Sequence, residues 1–170
     1  GDETGSIRIG NIRLANEDGE YIIGDVDLAA SQTHSGYMMS LNAPFAEASY
    51  SGTAPVGQFV KDFLGLTLAK ELPAMFKDST LTWSGATYKA ELKCHNMMDV
   101  LAFAMPGLYI EAGTSAQAEI TGSGSFKAGI KSGRLAYRKQ FLKDISAGFD
   151  NHNDNLSGEI DCGQIQIASL

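Results

Sequence analysis

Apolar and polar residues alternate with a period of two along the first fifty positions. In "SIRIGNIRL" (6–14), Ile7 and Ile9 flank Arg8, and Ile12 and Leu14 flank Arg13. "YIIGDVDLAA" (21–30) sets Ile22, Val26, Leu28 and Ala30 on one face, and "GYMMSLNA" (36–43) does so with Tyr37, Met39 and Leu41. "AEASYSGTA" (46–54) is a weaker strand, small and polar. Asn16-Glu17-Asp18-Gly19, His34-Ser35-Gly36 and Asn42-Ala43-Pro44 supply turn chemistry between these runs. The pattern predicts an antiparallel meander of about four strands.

Over 55–76 the period becomes helical: Val56, Phe59, Val60, Phe63, Leu64, Leu68 and Leu72 recur three or four apart. Thr53 is the expected N-cap, Pro55 falls in the first turn, and Pro73 should end or kink the helix. Phe59, Val60, Phe63 and Leu64 should face the sheet, with Lys61, Asp62 and Lys70 in water. Alternation returns over 80–94, first with Leu81 and Trp83, then with Tyr88, Ala90 and Leu92. "NMMDVLAFAMP" (96–106) reads as a short helix, apolar nearly all round and therefore buried. Asn96 can cap it, Asp99 sits where a capping box closes, and Pro106-Gly107 ends it. Beyond it lie "LYIEA", "SAQAEITG", "SFKAGIK", "RLAYRK", "FLKDISAGFD" and "LSGEIDCGQIQIAS", all strand-like. The expected fold is mainly β with two helices. A curved antiparallel sheet, trough-like or a flattened barrel, would be covered in part by helices near 55–76 and 96–105. Residues 1–5 are expected to be a cloning remnant or flexible lead, and 6–170 a single module, one unit of a longer array.

The chain opens and closes on one phrase. "IRIGNIRLAN" (7–16) and "IDCGQIQIAS" (160–169) align as apolar, polar, apolar, Gly, Asn or Gln, apolar, polar, apolar. One extra residue in a strand moves every later side chain to the other face. Gly10-Asn11 and Gly163-Gln164 are therefore expected to be β-bulges that restore the apolar residues to one side and bend the sheet. The terminal strands become the candidate apolar groove or edge: Ile7, Ile9, Ile12 and Leu14 at one end, Ile160, Ile165 and Ile167 at the other.

Composition narrows the function. Thirteen Lys and Arg against twenty Asp and Glu give a net charge of −7 in 170 residues, which disfavours nucleic acid and anionic lipid heads. No apolar run approaches the ~20 residues of a membrane helix. Gly1 in place of Met reads as a protease scar, so a mature segment or fragment with any targeting sequence removed is expected. Cys94 and Cys162 are expected to be half-buried free thiols. His34, His95 and His152 lie far apart in sequence, and no metal site is expected. Asp150, His152 and Asp154 in "DNHNDN" match a calcium loop at positions one, three and five. Asn155 replaces its glycine and Asp161 its glutamate, so a hairpin turn is expected. Phosphate-binding glycine loops and a G-x-S-x-G elbow are missing, as is any carboxylate pair for acid–base work. The chain is expected to be no enzyme and to need no cofactor.

Five stretches carry a resemblance. "GSIRIGNIRLAN", "YIIGDVDLAA" and "YMMSLNAPFAEASYSGT" come in order before a helix. "NMMDVLAFAMPGLYIEAGTSAQAEITG" follows, and "LSGEIDCGQIQIAS" closes the chain. This order resembles the repeat unit of TamB-like proteins of Bacteroidota, within the AsmA-like superfamily, from about Ser6 onward. The resemblance implies a periplasmic segment of an inner-membrane-anchored protein whose sheet forms a trough with an apolar interior. It implies outer-membrane protein assembly with an Omp85-type partner, phospholipid transport with acyl chains as cargo, or both. Membrane contact would come only through parts outside this chain. An extracellular β-sandwich-like module binding carbohydrate or protein is the alternative. It is disfavoured because Trp83, Tyr88, Tyr109 and Tyr137 fall in strand patterns, not in loops.

Overall fold

The computed structural model describes residues 2–66, 83–152 and 155–167. Ten strands and two helices fall within them: β1 (Glu3–Asn16), β2 (Gly19–Thr33), β3 (Gly36–Asn42), β4 (Ala46–Gly52), α1 (Val56–Leu64), β5 (Tyr88–Cys94), α2 (Met98–Ala104), β6 (Leu108–Ile110), β7 (Ser115–Ile120), β8 (Phe126–Tyr137), β9 (Gln140–His152) and β10 (Asn155–Gln166). All ten strands form one open antiparallel sheet in the order β1-β2-β3-β4-β5-β7-β8-β9-β10. β6 pairs with the far end of β8 and β7 with its near half, so the two act as one interrupted strand. The expected mainly-β, curved-sheet class is the one observed.

The boundaries depart from expectation in three places. Pairing begins at Glu3 opposite Gln32, so residues 3–5 belong to the sheet and not to a flexible lead. "SFKAGIK" and "RLAYRK" are one strand running through Gly133. Of the strand expected over 80–94, the described part, from Trp83 on, pairs only from Tyr88. Trp83 precedes it and donates from Nε1 to the Ala86 carbonyl at 3.2 Å. The second half of the helical pattern, with Lys70 and Pro73, lies outside the described residues, as do Leu81, residues 153–154 and residues 168–170.

The chain exposes 11175 Å2, against about 8,100 Å2 for a compact protein of its mass. A small core sits at one end, where Tyr50, Tyr88, Ile120 and Phe126 are buried beneath α1. Phe59 meets the Tyr88 ring at 5.5 Å and Phe63 meets Phe126 at 5.9 Å, both edge-on. Val60, expected against the sheet, is 52% exposed. Asp62, expected in water, is 0% exposed and takes the inward position instead. Its carboxylate accepts from Gln58 Nε2 at 2.8 Å, Ser84 N at 3.1 Å, Ser84 Oγ at 2.5 Å and the Tyr88 hydroxyl at 2.6 Å. Three of these four bonds tie α1 to residues just before and at the start of β5. Thr53 does not cap α1. Its Oγ1 accepts from the Thr87 N–H at 3.0 Å, and Pro55 holds the cap position with no side-chain cap bond.

At the other end the middle strands stop early and α2 fills the gap, touching β2, β6 and β1. Leu101 is its one fully buried residue, and Met98 and Met105 are exposed, so the expected all-round burial does not occur. Phe103 packs edge-on to Tyr21 at 5.7 Å. Asn96 accepts from Met98 N at 3.2 Å in a tight turn, and Met97 holds the cap position. Asp99 closes no capping box; it accepts from Ile22 N at 3.2 Å and fastens α2 to β2.

The Asp62 clamp generates a pH signature. Burial pushes its carboxyl up, but the bonds from Ser84, Tyr88 and Gln58 outweigh that and hold it below the usual carboxylate range. A lowered folded-state value contributes stability above the unfolded value of about 3.9 and loses it as pH falls through the folded one. Burial, reinforced by the Asp62 carboxylate, raises the Tyr88 hydroxyl to about 12, so it stays a donor at neutral pH. Asp62→Asn should cost on the order of 1–3 kcal/mol at pH 7 in urea unfolding. The gap from wild type should narrow below about pH 4; a gap independent of pH would contradict the clamp.

Candidate functional site on the apolar face of the sheet

Residues directly opposite in an antiparallel ladder share a face. Followed across all nine strands of the path, the register gives an unbroken apolar row: Ile7, Leu28, Leu41, Ala48, Leu92, Ala116, Ile130, Ala147 and Ile160. The next row on that face is Gly5, Ala30, Met39, Tyr50, Ala90, Ala118, Ala128, Phe149 and Gly158. The opposite face is polar in its matching row: Arg8, Asp27, Asn42, Glu47, Lys93, Ser115, Lys131, Ser146 and Asp161. There Arg8 grips Asp27 through two bonds, of 2.6 and 2.9 Å, and holds its carboxyl down.

α1 covers one end of the apolar face, and the row from Ile7 to Ile160 is not sealed. Leu92, in the middle of the sheet, is 39% exposed; Ile7 and Ile160, at its two edges, are 58% and 65% exposed. A concavity of about 1110 Å3 lies over the other face. Its lining begins and ends on polar-face residues in every strand it touches: Glu47 and Ser49, Glu91 and Lys93, Ser115 and Gln117, Lys127 and Lys131, Ser146 and Asp150, Ser157 and Asp161. The sheet thus curves over β4–β10 with its polar face inward, not with the apolar interior that the resemblance implied.

The glycine-polar pairs sit on a crease. β1 sets Gly10 and Asn11 opposite Asp25, with register shifts on both sides of Ile12. Asn11 has φ 54° and donates its N–H to Asp25 Oδ1 at 2.8 Å; Gly24 in β2 has φ 84°. In β8–β10 the pairing skips from Ser132–Ile145 to Arg134–Lys143 and from Cys162–Ile145 to Gln164–Lys143. The left-handed residue there is Asp144, φ 50°, across from Gly163 and not in β10 itself. Gly10 therefore lies at a register irregularity, whereas β9 and β10 keep one register through Gly163, so the β-bulge expected at Gly163-Gln164 does not form and the unusual backbone there belongs to Asp144. The two-residue apolar step becomes three at Ile9 to Ile12, Val26 to Ile23, Ile145 to Leu142 and Cys162 to Ile165. Beyond the crease, Leu135, Leu142 and Ile165 form another apolar row.

Of the residues expected at the edges, Ile7, Ile9, Ile160 and Ile165 are exposed, and Ile12 and Leu14 are half-buried. Ile167 is exposed just past β10. The two groups are not brought together: they occupy opposite edges, eight strand spacings or about 38 Å apart along the sheet. Cys94 is buried, Cys162 half-buried, and both are free thiols. Four strand spacings, about 19 Å, separate them, too far for a bridge. Among the described residues, no cluster of His, Cys, Asp or Glu has metal-site geometry. His34 pairs with Asp2 at 2.9 Å and His95 with Glu47 at 3.1 Å. Asp25 and Asp144, which lie against Gly10 and Gly163, carried no sequence signal, since acidic residues are common on the polar face.

Comparison with known proteins finds no family model, no curated protein and no solved structure that matches the chain. The class the geometry defines is a one-sided sheet, apolar on one face and open at both edges.

Gly24 tests the crease. A Cβ there would lie 2.9 Å from Pro44 Cγ, on a backbone that side chains rarely adopt. Gly24→Ala should lower unfolding stability by about 2 kcal/mol, the left-handed cost plus the displaced proline. A loss under about 0.5 kcal/mol would mean that β2 crosses this height without constraint.

Proposed function

We propose that the chain is a non-enzymatic module of an envelope-spanning, periplasmic protein of the TamB and AsmA-like kind, and that its apolar face carries phospholipid acyl chains. The open apolar row centred on Leu92 carries this reading. An acyl chain lying along it gains roughly 0.8 kcal/mol for each buried CH2. Alternation leaves the charged residues on the far face, where they keep the sheet soluble without meeting the cargo. The acyl chains lie on the open face, and the polar groove on the other side remains in water.

A second reading is favoured by the edges. β1 and β10 are 14 and 12 residues long and are the outermost strands of the sheet. Long free edges offer backbone pairing to incoming strands. That suits outer-membrane protein assembly with an Omp85-type partner.

A photo-crosslinking residue placed in cells at Leu92, at Lys93 on the polar face, and at Ile165 tests both readings. Phospholipid adducts at Leu92 and none at Lys93 are expected. Adducts from Ile165 to outer-membrane strands, with no lipid at Leu92, would replace the first reading by the second. Equal labelling at Leu92 and Lys93 would contradict both.

A further inference from the structure

The two related phrases are offset by 153 positions, so Ile7 corresponds to Ile160, Ile9 to Cys162 and Ile12 to Ile165. The pairing register independently carries Ile7 to Ile160 along one row of nine strands. Nine alternating strands leave β1 and β10 parallel to each other. Strand direction and side-chain face together fix the side toward which a residue's N–H and C=O point. Up to the crease, over Glu3–Ile9 and Leu156–Cys162, backbone groups that β1 turns toward β2 are therefore matched by groups that β10 turns outward. Among the described residues no strand pairs with that outer edge.

We propose that the outer edge of β10 is a docking edge for a β2-like strand that carries a basic residue where β2 carries Asp27. Up to the crease the shape of the site is that of β1, and the charge is not. Arg8 of β1 is matched by Asp161 in β10. A strand identical to β2 would set its aspartate directly opposite Asp161, a like-charge pair that weakens a ladder. A lysine or arginine there restores, with reversed polarity, the bond that Arg8 makes with Asp27. The same charge disfavours exchange of the chain's own β2 onto β10, so the edge rejects self-pairing while accepting a related strand. This holds whatever the apolar face carries.

Cys162 reports the register. It corresponds to Ile9, whose partner is Val26, so a cysteine at position 26 of a docked strand would stand directly opposite it. Opposed residues in such a ladder are about 4.5–5.5 Å apart at Cα, within disulfide range. Cys94 is buried and gives little background. Two synthetic peptides of residues 19–33, both with Val26→Cys and one also with Asp27→Lys, are incubated with the protein under oxidising exchange. The Asp27→Lys peptide should form its mixed disulfide with Cys162 about fivefold faster. Asp161→Lys in the protein should reverse that order, and moving the peptide cysteine to position 29, on the other face, should remove the coupling. Equal rates for the two peptides, no reversal with Asp161→Lys, or equal coupling of a scrambled peptide would overturn the proposal.

Discussion

Cross-strand pairing puts opposed side chains on one face, and in this chain that rule governs nine strands at once. Because Ile7, Leu28, Leu41, Ala48, Leu92, Ala116, Ile130, Ala147 and Ile160 share a row, a shift of one residue in any strand would place an apolar side chain among the charges of the far face. Register is therefore strongly specified without a large core. The buried set is small for 170 residues and gathers under α1 around Tyr50, Tyr88, Ile120 and Phe126.

The helices act at the two ends and leave the middle of the face open. α1 is held by aromatic contacts and by one buried carboxylate, Asp62, whose donors come from the helix and from residues 84–88. α2 is held by Leu101, by the Phe103–Tyr21 contact and by the Asp99 bond to the β2 backbone. Between them β1 and β2 continue past the end of β3–β5 through the irregularity at Gly10-Asn11 and Gly24.

Much of this was legible in the sequence because a two-residue period is a strong signal over long strands. The strand succession and the irregularity at Gly10 follow from it, and the two helices from the change to helical spacing. Asp62 was not legible: helical spacing places it beside Lys61 on a polar stripe, and only the tertiary approach of Ser84 and Tyr88 turns it inward. Thr53 and Asp99 have cap-forming side chains, yet Thr53 bonds the Thr87 backbone just before β5 and Asp99 the backbone of β2, which local propensity does not encode. The curvature was equally hidden. Alternation tells which residues share a face but not which face becomes concave, so the polar lining of the groove could not be read from pattern.

The central claim is that the row through Leu92 is apolar surface held open, in contrast to the sealed core at Ile120. Comparing the unfolding free energies of Leu92→Glu and Ile120→Glu tests it most directly. The account predicts a loss of about 1 kcal/mol or less for Leu92→Glu, since an exposed carboxylate keeps its water. It predicts failure to fold, or a loss above about 4 kcal/mol, for Ile120→Glu. Equal and severe losses at both positions would show that the face is closed in solution, and would contradict the account.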